Sequence, residues 1–318
     1  MVGKLTRDHI ATASIAPYLF NEYKYGSRNG ALKRCIDAKH GKQTRYEQTN
    51  IQRTGDVLEP VLITEACQRL GMTDIQTNIS VVAKHPYLLF EASLDGMANA
   101  DNITVKEDES RGIYLPDATE VKLDGQGVVE CKCTRDYAEN PPALWRGVLQ
   151  MQAQMECASV DWGLLVVLYQ STDLRMFVYK RDPSFAERLK IAVEDWNRRI
   201  KEEDYFPFEI LDESRNDGVL VHPEATQDEV IDLDMLCEDH AKQIMLCDEA
   251  IKNAKENKQR ATAALMEAMG NHSKAKAGDF TISWGMTHYK AKEEKIVPAK
   301  EAYSVRRKTL NIKRFQNG

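Results

Sequence analysis

The chain has 318 residues, 42% of them hydrophobic, with seven cysteines and a formal net charge of −6. That length holds one large domain or two ordinary ones. No apolar run approaches the ~20 residues of a membrane span, and the opening Met-Val-Gly-Lys-Leu-Thr-Arg lacks the apolar stretch of a signal peptide. The odd cysteine count, with no Cys-x-x-Cys pair, argues against a disulfide framework or zinc cluster and for a reducing cytosol.

The charge is unevenly spread. Residues 1–53 carry ten Lys/Arg against four Asp/Glu, a balance of +6, which leaves −12 for the remainder. Such a chain can grip phosphates at one end and repel them elsewhere, although a solvated helical surface accounts for the same asymmetry. In chain order, residues 8–23 and 29–40 read as helices. Gly55-Asp56-Val-Leu-Glu59-Pro60 opens a third, expected to start near Asp56 because proline is tolerated in a helix's first turn, and to stop at Gly71. Strands are expected at 79–84, 88–95, 119–123 and 128–133, with Asp124-Gly-Gln-Gly127 as a turn between the last two. Residues 98–118 are acidic and read as a surface insertion. A helix over 142–157 leads to the apolar strand Trp162–Tyr169, a strand over 174–179 and a helix over 183–203. One or two charged helices span 227–269, and strands are expected at 281–290 and 302–313.

The chemistry centres on Gly127-Val-Val-Glu-Cys-Lys-Cys-Thr134. Alternate strand residues share a face, so Glu130 and Lys132 project together while Val129, Cys131 and Cys133 point the other way, toward a core. A carboxylate beside an ammonium on a rigid strand needs one more acid to hold a divalent metal and aim a water at a phosphate. Asp95, at the end of one strand, and Asp117, after Pro116, are the two candidates. A bare Glu-x-Lys is common, and a surface cross-strand pair is the competing reading. Asp56-x-x-Glu59 also suits a capping box. Gln150 and Gln154 lie one turn apart beside the stripe Leu144, Val148, Met151 and Met155, facing either a cleft or solvent. In Trp145-Arg146, a core tryptophan with a surface arginine is expected over base stacking. Arg135 is a candidate backbone contact. No phosphate-binding glycine loop of the Gly-x-x-x-x-Gly-Lys-Ser/Thr kind is present.

Five segments in order, Arg7-x-x-x-x-Thr12-Ala-Ser14, Gly55-x-x-x-Glu59-Pro60, Ser93-Leu-Asp95-Gly96, Glu130-Cys-Lys132-Cys and Leu149-Gln150-Met-Gln152-Ala-Gln154-Met155, cover roughly two-thirds of the chain. Together they resemble the lambda-exonuclease/YqaJ-like viral recombinase family of the PD-(D/E)xK nucleases. The resemblance implies an α/β, restriction-endonuclease-like core with a central mixed sheet flanked by helices. The boundary at Tyr205-Phe-Pro-Phe-Glu to His222-Pro223 leaves an exonuclease domain at 1–205, a linker at 206–226 and, at 227–318, a helical arm with a small β element that extends past the family's minimal core. The resemblance further implies Asp95, Glu130 and the Cys131 carbonyl as ligands for Mg²⁺ (or Mn²⁺), Lys132 as the catalytic lysine, and Glu59 and Gln150 as supporting catalytic residues. Arg7, Ser14 and Ser93 are implied to hold a DNA 5′-phosphate. The implied activity is 5′→3′ digestion of double-stranded DNA ends, leaving 3′ single strands for phage-type recombination, in a cytoplasmic homo-trimer partnered by a single-strand annealing protein. An endonuclease on the same core and a non-catalytic DNA-binding assembly protein are the alternatives.

Overall fold

A computed structural model describes residues 6–42, 49–210, 216–224 and 230–284. Two compact units divide the chain at Pro223/Glu224. The first is built on a six-stranded mixed sheet in the order β2-β5-β7-β8-β9-β6. These strands are β2 (Thr73–Thr77), β5 (Gly96–Lys106), β6 (Ile113–Tyr114), β7 (Glu120–Thr134), β8 (Trp162–Tyr169) and β9 (Asp173–Lys180). A small second sheet joins β1 (Ala11–Thr12), β4 (Phe90–Ala92) and β3 (Ala83–Lys84). The expected central mixed sheet flanked by helices is therefore present.

Strand β8 explains the layering. Its run Trp-Gly-Leu-Leu-Val-Val-Leu-Tyr is apolar on both faces, as a strand covered on two sides must be. Leu165, Val167 and Tyr169 face a core shared with α2 (Arg28–Lys39), α4 (Leu149–Ala158) and α5 (Pro183–Glu202). Leu164 and Val166 face a second core under α3 (Asn50–Arg69). β7 pairs in parallel with β8, Glu130 lying opposite Leu165, and antiparallel with β5, Gly96 lying opposite Val129.

Several local expectations change. Residues 8–23 are not one helix. β1 pairs with β4, and after Ala13–Ile15, a short 3₁₀ turn, only α1 (Ala16–Leu19) is α-helical, with Pro17 at its start. α3 begins at Asn50, not near Asp56. A capping box between Thr49 and Gln52 closes its N-terminus, and the tertiary packing of Ile63, Ala66 and Cys67 carries the helix through Pro60. Glu59 is thereby relieved of any capping duty. Of the expected strand at 79–84 only β3 forms, while β2, at 73–77, was not anticipated.

The supposed turn at 124–127 is the middle of one continuous strand, β7. Gly127 makes room for a neighbour. The Trp162 indole lies where a Gly127 side chain would stand, and its Nε1 donates to the Asp124 and Gly125 carbonyls at 3.2 and 3.3 Å. Gly127→Ala is expected to cost about 1–3 kcal/mol through overpacking, read as a lowered urea midpoint. The 98–118 insertion is likewise mostly sheet. Residues through Lys106 pair with β7, the register shifting between Ala100 and Ile103, and Ala98, Ala100 and Val105 are buried. The sequence reads as irregular because this shift breaks its alternation.

Near the end of the first unit, the Asn29 side chain donates to the Phe206 carbonyl and to Asp217, and accepts from the Phe206 N–H at 2.9 Å. Asp217 opens the short helix α6 (Asp217–Val221). The second unit comprises α7 (Met235–Met269), capped by Asp234, and a hairpin of β10 (Lys274–Ala277) and β11 (Phe280–Ser283). This is the expected helical arm with a small β element, as a single helix. The 302–313 strand and the basic residues Arg306, Arg307, Lys308, Lys313 and Arg314 lie outside the described residues.

Candidate active site

Alternation along β7 does what its sequence implies around Glu130. Val128 and Glu130 turn toward α4, Val129 and Cys131 toward α3. Cys133 departs from it. The strand has passed the end of the second core there, and the thiol is exposed.

Glu130 is fully buried, whereas the Lys132 side chain keeps 35% of its surface exposed. The two form a close ion pair. Gln154 Nε2 donates to Glu130 Oε2 at 2.6 Å and to the Ser93 carbonyl at 3.0 Å. Lys132 Nζ donates to Gln150 Oε1 at 3.2 Å. Both glutamines therefore face the site, one turn apart, each gripping one member of the pair. Gln154 was read from sequence only as a neighbour of Gln150. Its i,i+4 spacing from Gln150 is the signal that it reaches the same place.

The Gly96–Val129 register carries Asp95 beside the Glu130–Cys131 peptide, where its Oδ2 accepts the Cys131 N–H at 3.0 Å. Gly96 also lets α3 approach. A side chain there would lie 3.1 Å from Ile63, one turn beyond Glu59. Burial, then the Asp95 charge, push the Glu59 carboxyl up to about 7. The same two causes, in the same order, push Glu130 up to about 8. For Lys132, burial works the other way, but Glu130 and Asp95 outweigh it and hold the ammonium above its ordinary range.

Asp117 is elsewhere. It is exposed after edge strand β6, where its charge acts on the Tyr179 phenol. Of the two aspartates, Asp95 is the one beside Glu130.

Among the described residues, no three His, Cys, Asp or Glu side chains converge closely enough to hold a metal as they stand. The donor set nonetheless fits a hard cation. Three carboxyls share the field of one ammonium, and buried Glu130 Oε1 has that ammonium as its partner. All-oxygen donors suit Mg²⁺ or Mn²⁺.

The lead into α4 shapes the lysine. Leu144–Val148 is kinked at Arg146 and Gly147, the latter at φ +104°. A side chain on Gly147 would come within 2.7 Å of Leu165 and 3.5 Å of the Lys132 stem. Glycine is thus required both by the left-handed backbone and by the close approach. The kink is pinned by Arg146, which reverses the expectation of a surface arginine. Arg146 is buried, with ion pairs to Asp136 and Glu139 at 2.8 Å each, while Trp145 is only partly buried. Local sequence places Arg146 at the surface because its acidic partners lie in the preceding loop.

The three phosphate candidates lie about the paired strands β1 and β4: Arg7 pairs with Glu91 of β4, Ser93 follows that strand, and Ser14 follows β1. Ser14 lines a cleft of about 430 Å³ together with Lys132 and Gln150. The Ser93 carbonyl is engaged by Gln154. Arg7 lines a different cleft, its guanidinium paired with Glu91 at 2.8 Å and its N–H donating to the same carboxylate at 3.1 Å. Burial disfavours the Glu91 charge, but the Arg7 hydrogen bonds outweigh it and hold that carboxyl below its ordinary value.

No family model matches the chain, and no curated protein does. Among solved structures, it is similar to an alkaline exonuclease from Laribacter hongkongensis, with 18% identity and a TM-score of 0.45 over 62% of this chain and 90% of that one. The same enzyme in complex with dAMP aligns at 20% identity and a TM-score of 0.43, with the same coverage. A phage-related exonuclease from Haemophilus somnus 129PT aligns at 12% identity and a TM-score of 0.42, over 61% of this chain and 96% of that one.

Proposed function

We propose that the chain is a metal-dependent deoxyribonuclease, and specifically a 5′→3′ exonuclease acting on double-stranded DNA ends. One observation carries this reading: Asp95, Glu130 and Glu59, from a strand end, the adjacent strand and the helix above, crowd the single ammonium of Lys132. Asp95, Glu130 and the Cys131 carbonyl would hold Mg²⁺ or Mn²⁺, with Glu59 supporting. When bound, such an ion supplies a Lewis acid and lowers the pKa of a coordinated water. Gln154 fixes the Glu130 carboxylate, and Gln150 aims the Lys132 ammonium. Lys132 is the group placed to orient a water and to offset charge developing on the phosphate.

The polarity, the 5′-phosphate role of Arg7, Ser14 and Ser93, the trimer, the annealing-protein partner and the cytoplasmic setting in phage-type recombination belong to this proposal through the family resemblance alone. Among the described residues no helix is long and apolar enough to cross a membrane.

The test compares linear and closed circular duplexes with Mg²⁺ and with EDTA. Linear DNA is expected to be digested, circular DNA left intact, and a 5′-phosphate to speed digestion. Cleavage of the circle would replace the exonuclease with an endonuclease. Absence of any cleavage with either Mg²⁺ or Mn²⁺ would leave a DNA-binding role.

A further inference from the structure

The cleft that reaches Lys132 and Gln150 has a wall the catalytic chemistry does not use. Tyr25 and Trp145 meet there at 84° with ring centroids 5.7 Å apart, making a corner, not a closed stack. Tyr18 and Tyr23 stack beside them at 5.2 Å. The Lys24 ammonium lies 5.3 Å from the Tyr25 ring and 5.1 Å from that of Trp145, and exposed Arg135 lies on the same cleft. Beneath the indole, the Arg146 guanidinium sits 4.4 Å from the ring and is itself locked by Asp136 and Glu139. The corner is thus held rigid from below, while Tyr25 remains 62% exposed.

Aromatic rings with cations at their margins, in a cleft of nucleotide-sized volume, match the needs of a base and its phosphate. A base within a duplex has both faces covered by its neighbours and offers none to a side chain. Only an unpaired base can use such a platform.

The geometry points to the Tyr25–Trp145 corner as a stacking subsite for an unpaired base of a DNA strand, adjacent to the scissile position. This deepens the nuclease reading, on which the word "scissile" rests. Binding at the corner does not depend on cleavage. Arg135 takes the flanking phosphate, Lys24 being paired with Asp136 at 3.0 Å, and Tyr25 and Trp145 take the base.

The experiment measures binding in EDTA, where no metal-dependent cleavage occurs. It uses the full chain carrying Trp284→Phe, because Trp162 and Trp196 are buried and Trp284 is 45% exposed. Short 5′-phosphorylated thymidine oligonucleotides are compared with abasic oligonucleotides of equal phosphate count. The base-bearing strand is expected to bind roughly 10-fold more tightly and to quench Trp145 emission. Tyr25→Ala and Trp145→Leu should each remove most of that difference while leaving abasic binding within about twofold. Circular dichroism checks that both variants fold, and exposed Tyr25 serves as the second probe should the Trp145 variant fail to do so. Equal binding of abasic and base-bearing strands would overturn the assignment, even if the protein proves to be a nuclease. Thymidine monophosphate that binds as tightly as the oligonucleotide would overturn it too, making the corner a product site. Preferential, quenching-linked binding by a protein with no cleavage activity would leave the subsite standing and remove the nuclease reading.

Discussion

Lys132→Met is expected to lower metal-dependent DNA cleavage by about 10³-fold or more while the protein remains folded. The magnitude follows from removing a group that both orients a reactant and stabilises developing charge, each worth about 10²–10³-fold. Methionine preserves the apolar stem that packs under Gly147 and deletes only the ammonium. Glu130 then loses its ion-pair partner, but it keeps the 2.6 Å hydrogen bond from Gln154. A carboxyl already pushed up to about 8 by burial and Asp95 can meet the loss by holding its proton. The far-ultraviolet circular dichroism should therefore match the wild type at pH 6. Digestion by the variant within tenfold of the wild-type rate would remove Lys132 from the catalytic role.

Raising the pH from 5 toward 8 should destabilise the metal-free protein. In the unfolded chain Glu59 and Glu130 return to their ordinary value of 4.5, whereas in the folded chain they rise to about 7 and about 8. Between those limits the native state binds more protons than the unfolded state, so unfolding free energy falls as pH rises. Their favourable contribution is fully present below about 4.5 and is lost through about 7 to 8. Taken at face value the two shifts give about 6 kcal/mol between pH 5 and 8, and solvent screening at half-buried Glu59 and the mutual repulsion of the pair bring the tilt to on the order of 3 kcal/mol, measurable by urea unfolding in EDTA at several pH values. Glu130→Gln should flatten the curve, because it removes a titrating group while retaining an oxygen for Gln154. Mg²⁺ or Mn²⁺ should offset most of the trend, since the ionised carboxylates bind the ion. At a hundredfold excess over Kd the ion adds about 2.7 kcal/mol. A metal-free stability flat between pH 5 and 7, with Glu130→Gln indistinguishable from wild type, would contradict the crowded-carboxylate description.

These expectations rest on features of unequal legibility. Glu130 and Lys132 sharing a face follows from strand periodicity alone, as does the doubly buried character of Trp162–Tyr169. The glutamine pair follows from a helix period next to an apolar stripe. Less legible was anything that depends on a partner distant in sequence. Gly127 is a turn residue by local chemistry, yet here it makes room for Trp162, 35 residues beyond it. Pro60 marks a first turn by propensity, yet α3 runs through it because Ile63, Ala66 and Cys67 are buried against the sheet. Arg146 has the composition of a surface residue until Asp136 and Glu139 fold back onto it.

Asp95 and Asp117 are the same residue type, the Ser93-Leu-Asp95-Gly96 segment favours the first, and strand pairing sets the two apart in space. β5 beside β7 brings Asp95 to the Cys131 N–H, whereas Asp117 follows an edge strand and is exposed.

What this sequence determined by itself was its periodic content: which side chains share a face, which strand is buried on both sides, and that an acid and an amine stand together. Those properties are set within a few residues by backbone geometry. Tertiary structure alone decided how far the carboxyls are pushed up, which acidic residues bury Arg146, and which aromatic rings line the approach. Each of those depends on distances between segments that are not neighbours in sequence, which are set by strand register and helix packing.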